Sequence, residues 1–255
     1  MPTYVPSVAR AGSDALVLDL ETVPDEDRWS PPKGPEGAPS PFPPNWAHRI
    51  VVIGYARLDR DDALIDHGVI ASTGDTADAR ERTLIEGLSR AIDRGPARAR
   101  LVTFNGRGFD LPVIALRALG HGVALPWYYG DRNVRARHHD EGHLDLCDWL
   151  ADHGATRTGS LDAIARLVGL PGKQGVDGSQ VEGLYRAGDL AAIEHYCLRD
   201  VAQTAFLYLR FRLLQGRIDR AQYAHRAAAL FDAFAIGGRV AAVLEGAQRD
   251  RLLLS

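Results

Sequence analysis

Cysteine is nearly absent from this chain of 255 residues: Cys147 and Cys197 are the only two. Two thiols cannot build a zinc cluster by themselves. Each lies inside an apolar pattern, so reduced, buried thiols are expected rather than a disulfide. No run of about 18 apolar residues occurs, which excludes a helix that spans a membrane. The N-terminus lacks a basic region followed by an apolar one, so a soluble cytoplasmic protein with no membrane partner is expected. A strong charge of one sign is missing too, the formal net charge being −3. Lysine is limited to Lys33 and Lys173, a bias that genome composition explains as readily as phosphate chemistry. With 45% hydrophobic residues the chain can bury a proper core, and its length fits one large domain or one domain with a tail.

What the chain does have is acids at telling places. Asp19 and Glu21 stand in LVLDLET, Asp110 closes FNGRGFD, and Tyr196 and Asp200 stand in YCLRD. The run Ala15 to Leu20 reads as a buried strand, and side chains two apart on a strand share a face. Asp110 follows the strand-like run Arg100 to Phe104 and a glycine-containing turn, where a helix should start. In AAIEHYCLRDVAQTAFLYLRF the apolar positions recur every three to four residues, as in a helix. Tyr196 and Asp200 therefore project together, roughly 6 Å apart along its axis.

Four carboxylates gathered at one point would repel one another and raise each other's pKa unless a cation sits among them. Hard oxygen ligands select Mg²⁺ or Mn²⁺ over zinc. Two such ions about 3.5 to 4 Å apart suit in-line attack on a phosphodiester. With a reference pKa of about 10, Tyr196 is better suited to orienting a water than to deprotonating it. Setting these four acids aside leaves the remaining charge near neutral, which fits a transient hold on a strand end better than tight duplex binding.

The three blocks resemble the Exo I, II and III motifs of the DEDDy group of 3′ to 5′ exonucleases. The likeness is greatest to stand-alone bacterial proteins described as predicted exonucleases related to the proofreading domain of family B DNA polymerases. HRIVVIGYA, FNGRGFDLPVIALRAL, HLDLCDWL and LPGKQGVDGSQV share it, so that it runs from about Ala15 to Phe211. It implies a ribonuclease H-like fold. It also implies that Asp19 bridges two metal ions, that Glu21 and Asp200 complete the site of the ion binding the attacking water, and that Asp110 holds the second ion. Tyr196 would contact the water, and its place four residues before the acid selects the DEDDy branch over DEDDh. Asn105 and Phe109 match the motif positions that shape the site around the terminal nucleotides; Thr22, Arg107 and Lys173 complete the expected substrate contacts. The substrate implied is a single-stranded DNA 3′ end, with RNA as the alternative, because metals that attack phosphate do not read the sugar. A non-catalytic nucleic-acid scaffold is the remaining reading, but no catalytic position is substituted. No room for a polymerase domain follows the third block, so a proofreading role would require a separate polymerase or repair partner.

Along the chain, a mixed five-stranded sheet flanked by helices is expected, α/β in class. Its strands would be Ala15 to Leu20, Arg49 to Leu58, Ala63 to Ala71, Arg100 to Phe104 and His143 to Leu146. Helices are expected over Ala77 to Asp93 and Leu111 to Leu119. The catalytic domain would span 1–213, and a helical extension, 214–255, would pack on it or serve a partner. The proline-rich stretch 24–46 can be neither helix nor central strand. It leaves the sheet directly after Asp19 and Glu21, as a flap at the site or as an inert insertion. RARHHDEGHLDL gathers His138, His139, His143 and Asp145 without HExxH or paired CxxC spacing, so zinc is not expected there. Substrate contact from Arg135, Arg137 and His139 fits better, with Asp145 orienting a histidine or capping the next helix. LPGKQGVDGSQ fails the P-loop pattern, since Leu167 stands where its first glycine should be and Gln174 where Ser or Thr should be. Ser179 is expected to cap the helix that follows.

Overall fold

The computed structural model describes residues 13–32, 41–95, 97–172, 178–236 and 240–254. The sheet strands are β1 (Ala15–Pro24), β2 (His48–Leu58), β3 (Leu64–Val69), β4 (Arg100–Thr103) and β5 (His143–Asp145). The helices are α1 (Ala77–Ile92), α2 (Asp110–His121), α3 (Pro126–Tyr129), α4 (Arg132–Arg135), α5 (Leu146–Leu150), α6 (Leu161–Leu167), α7 (Val181–Arg186), α8 (Leu190–Leu214), α9 (Arg220–Ile236) and α10 (Arg249–Leu253).

The sheet order is β3-β2-β1-β4-β5. Strands β1 to β3 form an antiparallel meander, while β4 and β5 run parallel to β1. The expected mixed five-stranded sheet with flanking helices is therefore present. Strand β1 alternates as a strand buried on both faces must. Ala15 and Val17 pack with α6, α8 and α9, and Leu16, Leu18 and Leu20 pack with α1 and α2. By the same period of two, Asp19 continues the α8 face.

Helix α8 is buried nearly all round from Tyr196 to Leu209 because it lies between the sheet and α9, as a core helix rather than a surface one is. Asp189 starts it by accepting from Ala192 N at 3.0 Å. Gly54, paired across the ladder with Asp19, lets α8 come close. A Cβ there would stand 2.8 Å from Cys197 Sγ and 3.1 Å from Val201.

Boundaries depart from expectation in small ways. Strand β1 runs on to Pro24, because β2 continues to pair with it past a bulge between Glu21 and Thr22. The cap of α7 falls on Gln180, not Ser179, because residues 178–180 form a 3₁₀ turn ahead of the helix. Of the helical extension expected over 214–255, the part beyond α9 resolves, where described, into the short turn Ala241–Leu244 and α10. Helix α9 buries Tyr223, Ala227, Leu230 and Phe234 in the core shared with α8. Buried Asp62, in the β2–β3 turn, holds Arg212 of α8 and Arg226 of α9.

The chain leaving β1 is anchored by a buried charge network. Asp25, fully buried, accepts from Arg28 at 2.9 Å, Arg49 at 2.8 Å and Arg117 at 2.7 Å. Burial alone would raise its pKa, but the arginines hold it below the usual value. Arg117 continues to Glu81 at 2.5 and 2.7 Å, and Glu81 also accepts from the Ile50 amide at 2.8 Å. Asp25→Ala leaves two buried guanidiniums short of a counter-charge and is expected to cost about 3 to 5 kcal/mol. Denaturant unfolding checks this, and a loss below about 1 kcal/mol would show the network to be dispensable.

Candidate active site

The sheet topology creates the site. Strand β4 pairs with β1 only over Ala15 to Val17, so the carboxyl half of β1 projects past its parallel neighbour. Crevices at the carboxyl ends of strands are where such sheets bind ligands. Asp19 and Glu21 stand on this overhang. The chain leaving β4 turns through Asn105 to Phe109 and enters α2 at Asp110, whose carboxylate accepts from the Leu20 amide between the two acids. From the opposite side α8 brings Tyr196 and Asp200, one helical turn apart.

Electrostatics show that these groups converge. Burial, and then the carboxylates of Glu21, Asp110 and Asp200, push Asp19 far above the ordinary aspartate range. Asp110 is pushed up to about 7, chiefly by burial, with its own amide and that of Leu20 pulling it down. The Tyr196 phenol is raised by burial and by Asp200, Glu21 and Asp19, so it keeps its proton at neutral pH. Arg199 lies 4.7 Å over its ring and 3.5 Å from Asp200 Oδ1. Beneath them Cys197 donates to the Asp19 carbonyl at 3.4 Å. Both cysteines are free thiols. Oxygen atoms of Asp19 and Glu21 lie within 4.8 Å of each other and of the Cys197 sulfur. A buried, mutually repelling oxygen set of this kind fits a hard divalent cation. A second group close enough to hold a metal, Asp78, Glu81 and His121, is already compensated: Arg28 pairs with Asp78, and Arg117 with Glu81.

The loop carrying Asp110 is held rigid by Asp145, which the sequence marked only as a cap or a histidine partner. Its carboxylate does cap α5, accepting from Cys147 N at 3.0 Å, and it also takes the Asn105 and Arg107 amides at 2.8 Å each. Asn105 adopts φ 67°, a left-handed conformation that asparagine tolerates well. Gly108 leaves room beside it for the Asn105 amide, since a Cβ would stand 2.5 Å from Asn105 Oδ1 and turn that side chain aside. The Arg107 guanidinium donates to the carbonyls of Val134, Ala136 and His143 at 3.1 to 3.3 Å. Its contact is thus with the neighbouring loop.

Thr22 bonds His48 Nδ1 at 2.9 Å, and Phe109 packs edge-on against the same imidazole at 4.9 Å. His48 and Phe42 escaped the sequence reading; a lone aromatic amid prolines was the only signal. Lys173 lies outside the described residues. The same loop returns to the site at Gly178, where an added Cβ would stand 3.7 Å from the Tyr196 hydroxyl.

The histidine-rich segment does not gather into a metal site among the described residues. His143 is buried against Thr103 Oγ1 at 2.8 Å, and burial depresses its pKa to about 3. His138 packs on His153 with ring centroids 4.5 Å apart. Arg137 pairs with Asp148 at 2.7 Å, and Arg135 lies 5.2 Å over Tyr129. Arg135 and Arg137 line a cavity of about 480 Å³ with Asn105, Arg107 and Tyr128.

The sheet, ordered β3-β2-β1-β4-β5 with helices on both faces, is the mixed α/β architecture expected from the sequence. Residues 40–240 match the family described as predicted 3′ to 5′ exonucleases related to the exonuclease domain of PolB, and the chain belongs to that family. The matched stretch contains Asp110, Tyr196 and Asp200; Asp19 and Glu21 precede it and join them only through the fold. Among solved structures the chain is similar to exonuclease I, at 14% identity and a TM-score of 0.40 over 91% of this chain and 46% of that one. It is also similar to E. coli exonuclease I in complex with a 5cy-dT13 oligonucleotide, at 17% identity and a TM-score of 0.38 over 88% of this chain and 43% of that one. The chain thus spans less than half the length of either. No curated protein matches it. No helix among the described residues is long and apolar enough to cross a membrane.

Proposed function

We propose that this protein is a divalent-metal-dependent exonuclease that hydrolyses single-stranded or frayed DNA from the 3′ end and releases nucleoside 5′-monophosphates. The observation that carries this reading is the meeting of Asp19, Glu21, Asp110 and Asp200 with Tyr196 on the overhang of β1, where the acids raise one another's affinity for protons. Asp19, Glu21, Asp110 and Asp200 would hold two Mg²⁺ or Mn²⁺ ions. When bound, such ions supply Lewis acidity and a template for in-line displacement at phosphorus.

The protein's own groups do the rest. Tyr196 keeps its phenolic proton and so orients the attacking water through its hydroxyl rather than removing a proton from it. Asp145 fixes the turn that delivers Asp110. Asn105, Phe109 and Thr22 border the place where the terminal nucleotide would lie, and Lys173 would meet a phosphate. Arg107 acts as a positioning residue through the carbonyls it holds.

The test is Mg²⁺- or Mn²⁺-dependent shortening of a 5′-labelled oligonucleotide. Stepwise laddering is expected on single-stranded DNA, less on blunt duplex, and none with the Asp19→Ala/Glu21→Ala double variant. Equal degradation by wild type and double variant would overturn the assignment. An RNA oligonucleotide of the same sequence in a parallel reaction decides the sugar preference.

A further inference from the structure

Phe42 is 75% exposed, an unusual place for a phenylalanine, and it is not isolated. Its ring centroid lies 4.8 Å from His48 and 5.9 Å from Phe109. His48 is buried and locked from both ring nitrogens, by Thr22 Oγ1 and by the Pro43 carbonyl, each at 2.9 Å. The three rings therefore form a tilted cluster, His48 standing edge-on to Phe109 and Phe42 inclined to both, a shelf whose open face is that of Phe42. It adjoins the acids at two points: Phe109 directly precedes Asp110, and Thr22, bonded to His48, directly follows Glu21. Prolines at 41, 43 and 44 flank Phe42. Proline fixes its own φ and biases the residue before it to extended backbone, so the ring is presented at little entropic cost. Burial holds the His48 pKa below its ordinary value, which leaves the shelf uncharged at neutral pH.

We propose that Phe42 is the stacking platform for an unpaired base at the 3′ end of the strand, extending outward the surface that begins at Phe109; this rests on the exonuclease reading above. The occupant is a nucleobase because the exposed Phe42 ring offers an apolar, flat face beside groups that would hold the adjoining phosphate. Every base has a π-face, so stacking of this kind tolerates any sequence. It also requires the terminal base to be unpaired, which gives a physical origin for a preference for single strands.

The experiment compares wild type, Phe42→Ala and Phe42→Trp on two 5′-labelled oligothymidylates, one with normal 3′ nucleotides and one whose last two nucleotides lack bases. KM and kcat are read in Mn²⁺, and binding by fluorescence anisotropy is read in EDTA. On the normal strand, Phe42→Ala should raise KM about tenfold and weaken binding alike, with kcat little changed; Phe42→Trp should restore both. On the abasic-ended strand wild type and Phe42→Ala should coincide. Unchanged KM on the normal strand, or an equal loss on both strands, would overturn the proposal. Failure of wild type to shorten any strand would instead overturn the exonuclease reading, and the anisotropy comparison then still decides the stacking.

Discussion

Asp19→Asn is expected to abolish cleavage and, in the metal-free protein, to raise the melting temperature. Both effects have one cause. Asp19 lies where burial and three other carboxylates disfavour its charge, so without a cation the site is relieved only by keeping a proton, at a cost in stability that grows as pH rises. Removing a central ligand should lower kcat/KM by about a thousandfold or more, the order expected when several kcal/mol of Lewis-acid stabilisation is lost. Replacing the carboxylate by a neutral group of the same shape should stabilise the apo protein by about 1 to 2 kcal/mol, or about 3 to 6 °C for a domain of this size. With millimolar Mn²⁺ the order should reverse, because only the wild type gains from ion binding.

The pH dependence carries a sign of its own. A carboxyl whose folded pKa is raised costs nothing below the unfolded value of about 4, where both states are protonated. As pH rises, the unfolded chain releases a proton that the folded one keeps, so apo stability falls until the folded pKa is passed, about 7 for Asp110. The advantage of Asp19→Asn in EDTA should therefore be larger at pH 8 than at pH 4.5. Differential scanning at both pH values checks this; a variant that melts below wild type in EDTA would show that the carboxylate is already satisfied by the protein.

Tyr196→Phe should lower kcat by about ten- to a hundredfold while leaving metal affinity within twofold. The phenol is pushed up by burial and by the surrounding acids, so in the proposed mechanism it would orient a water without ionising. Water placement of this kind is worth less than metal ligation but more than an ordinary surface contact. The variant keeps the ring, and with it the packing against Val23, Val52 and Ile193. Its pH–rate profile should keep the wild-type shape, displaced downward. Loss of an alkaline limb in the variant would make Tyr196 a base, and an unchanged kcat would remove it from the mechanism.

Much of the site was legible because each block carries its own local signal. A two-residue period placed Asp19 and Glu21 on a strand, and a four-residue one placed Tyr196 and Asp200 on a helix face. Less visible were residues whose role depends on distant chain. Asp145 looked like a helix cap, and it is one, but its second pair of bonds goes to Asn105 and Arg107, about 40 positions away in sequence. Arg107 is expected from the resemblance as a substrate contact, and its guanidinium meets three carbonyls, an outcome set by the loop that covers it. Glu81 and Arg117, on two helices far apart in the sequence, carry no local signal that they are buried together under the chain leaving β1. Phe42 sat in a proline-rich stretch where no periodicity exists to interpret.

The sequence by itself determined which acids stand on which local elements, with which spacing, and a tyrosine in place of a histidine. Those properties depend on neighbours within a turn or a strand pair, where side-chain direction follows from backbone period alone. Only the tertiary structure decided that the acids converge. That required β4 to stop short of the end of β1, Gly54 to admit α8 against the sheet, and the 105–109 turn to be clamped from β5. Each of these is a contact between segments far apart in the chain, and the distances that set proton affinity and metal fit exist only once those segments have packed.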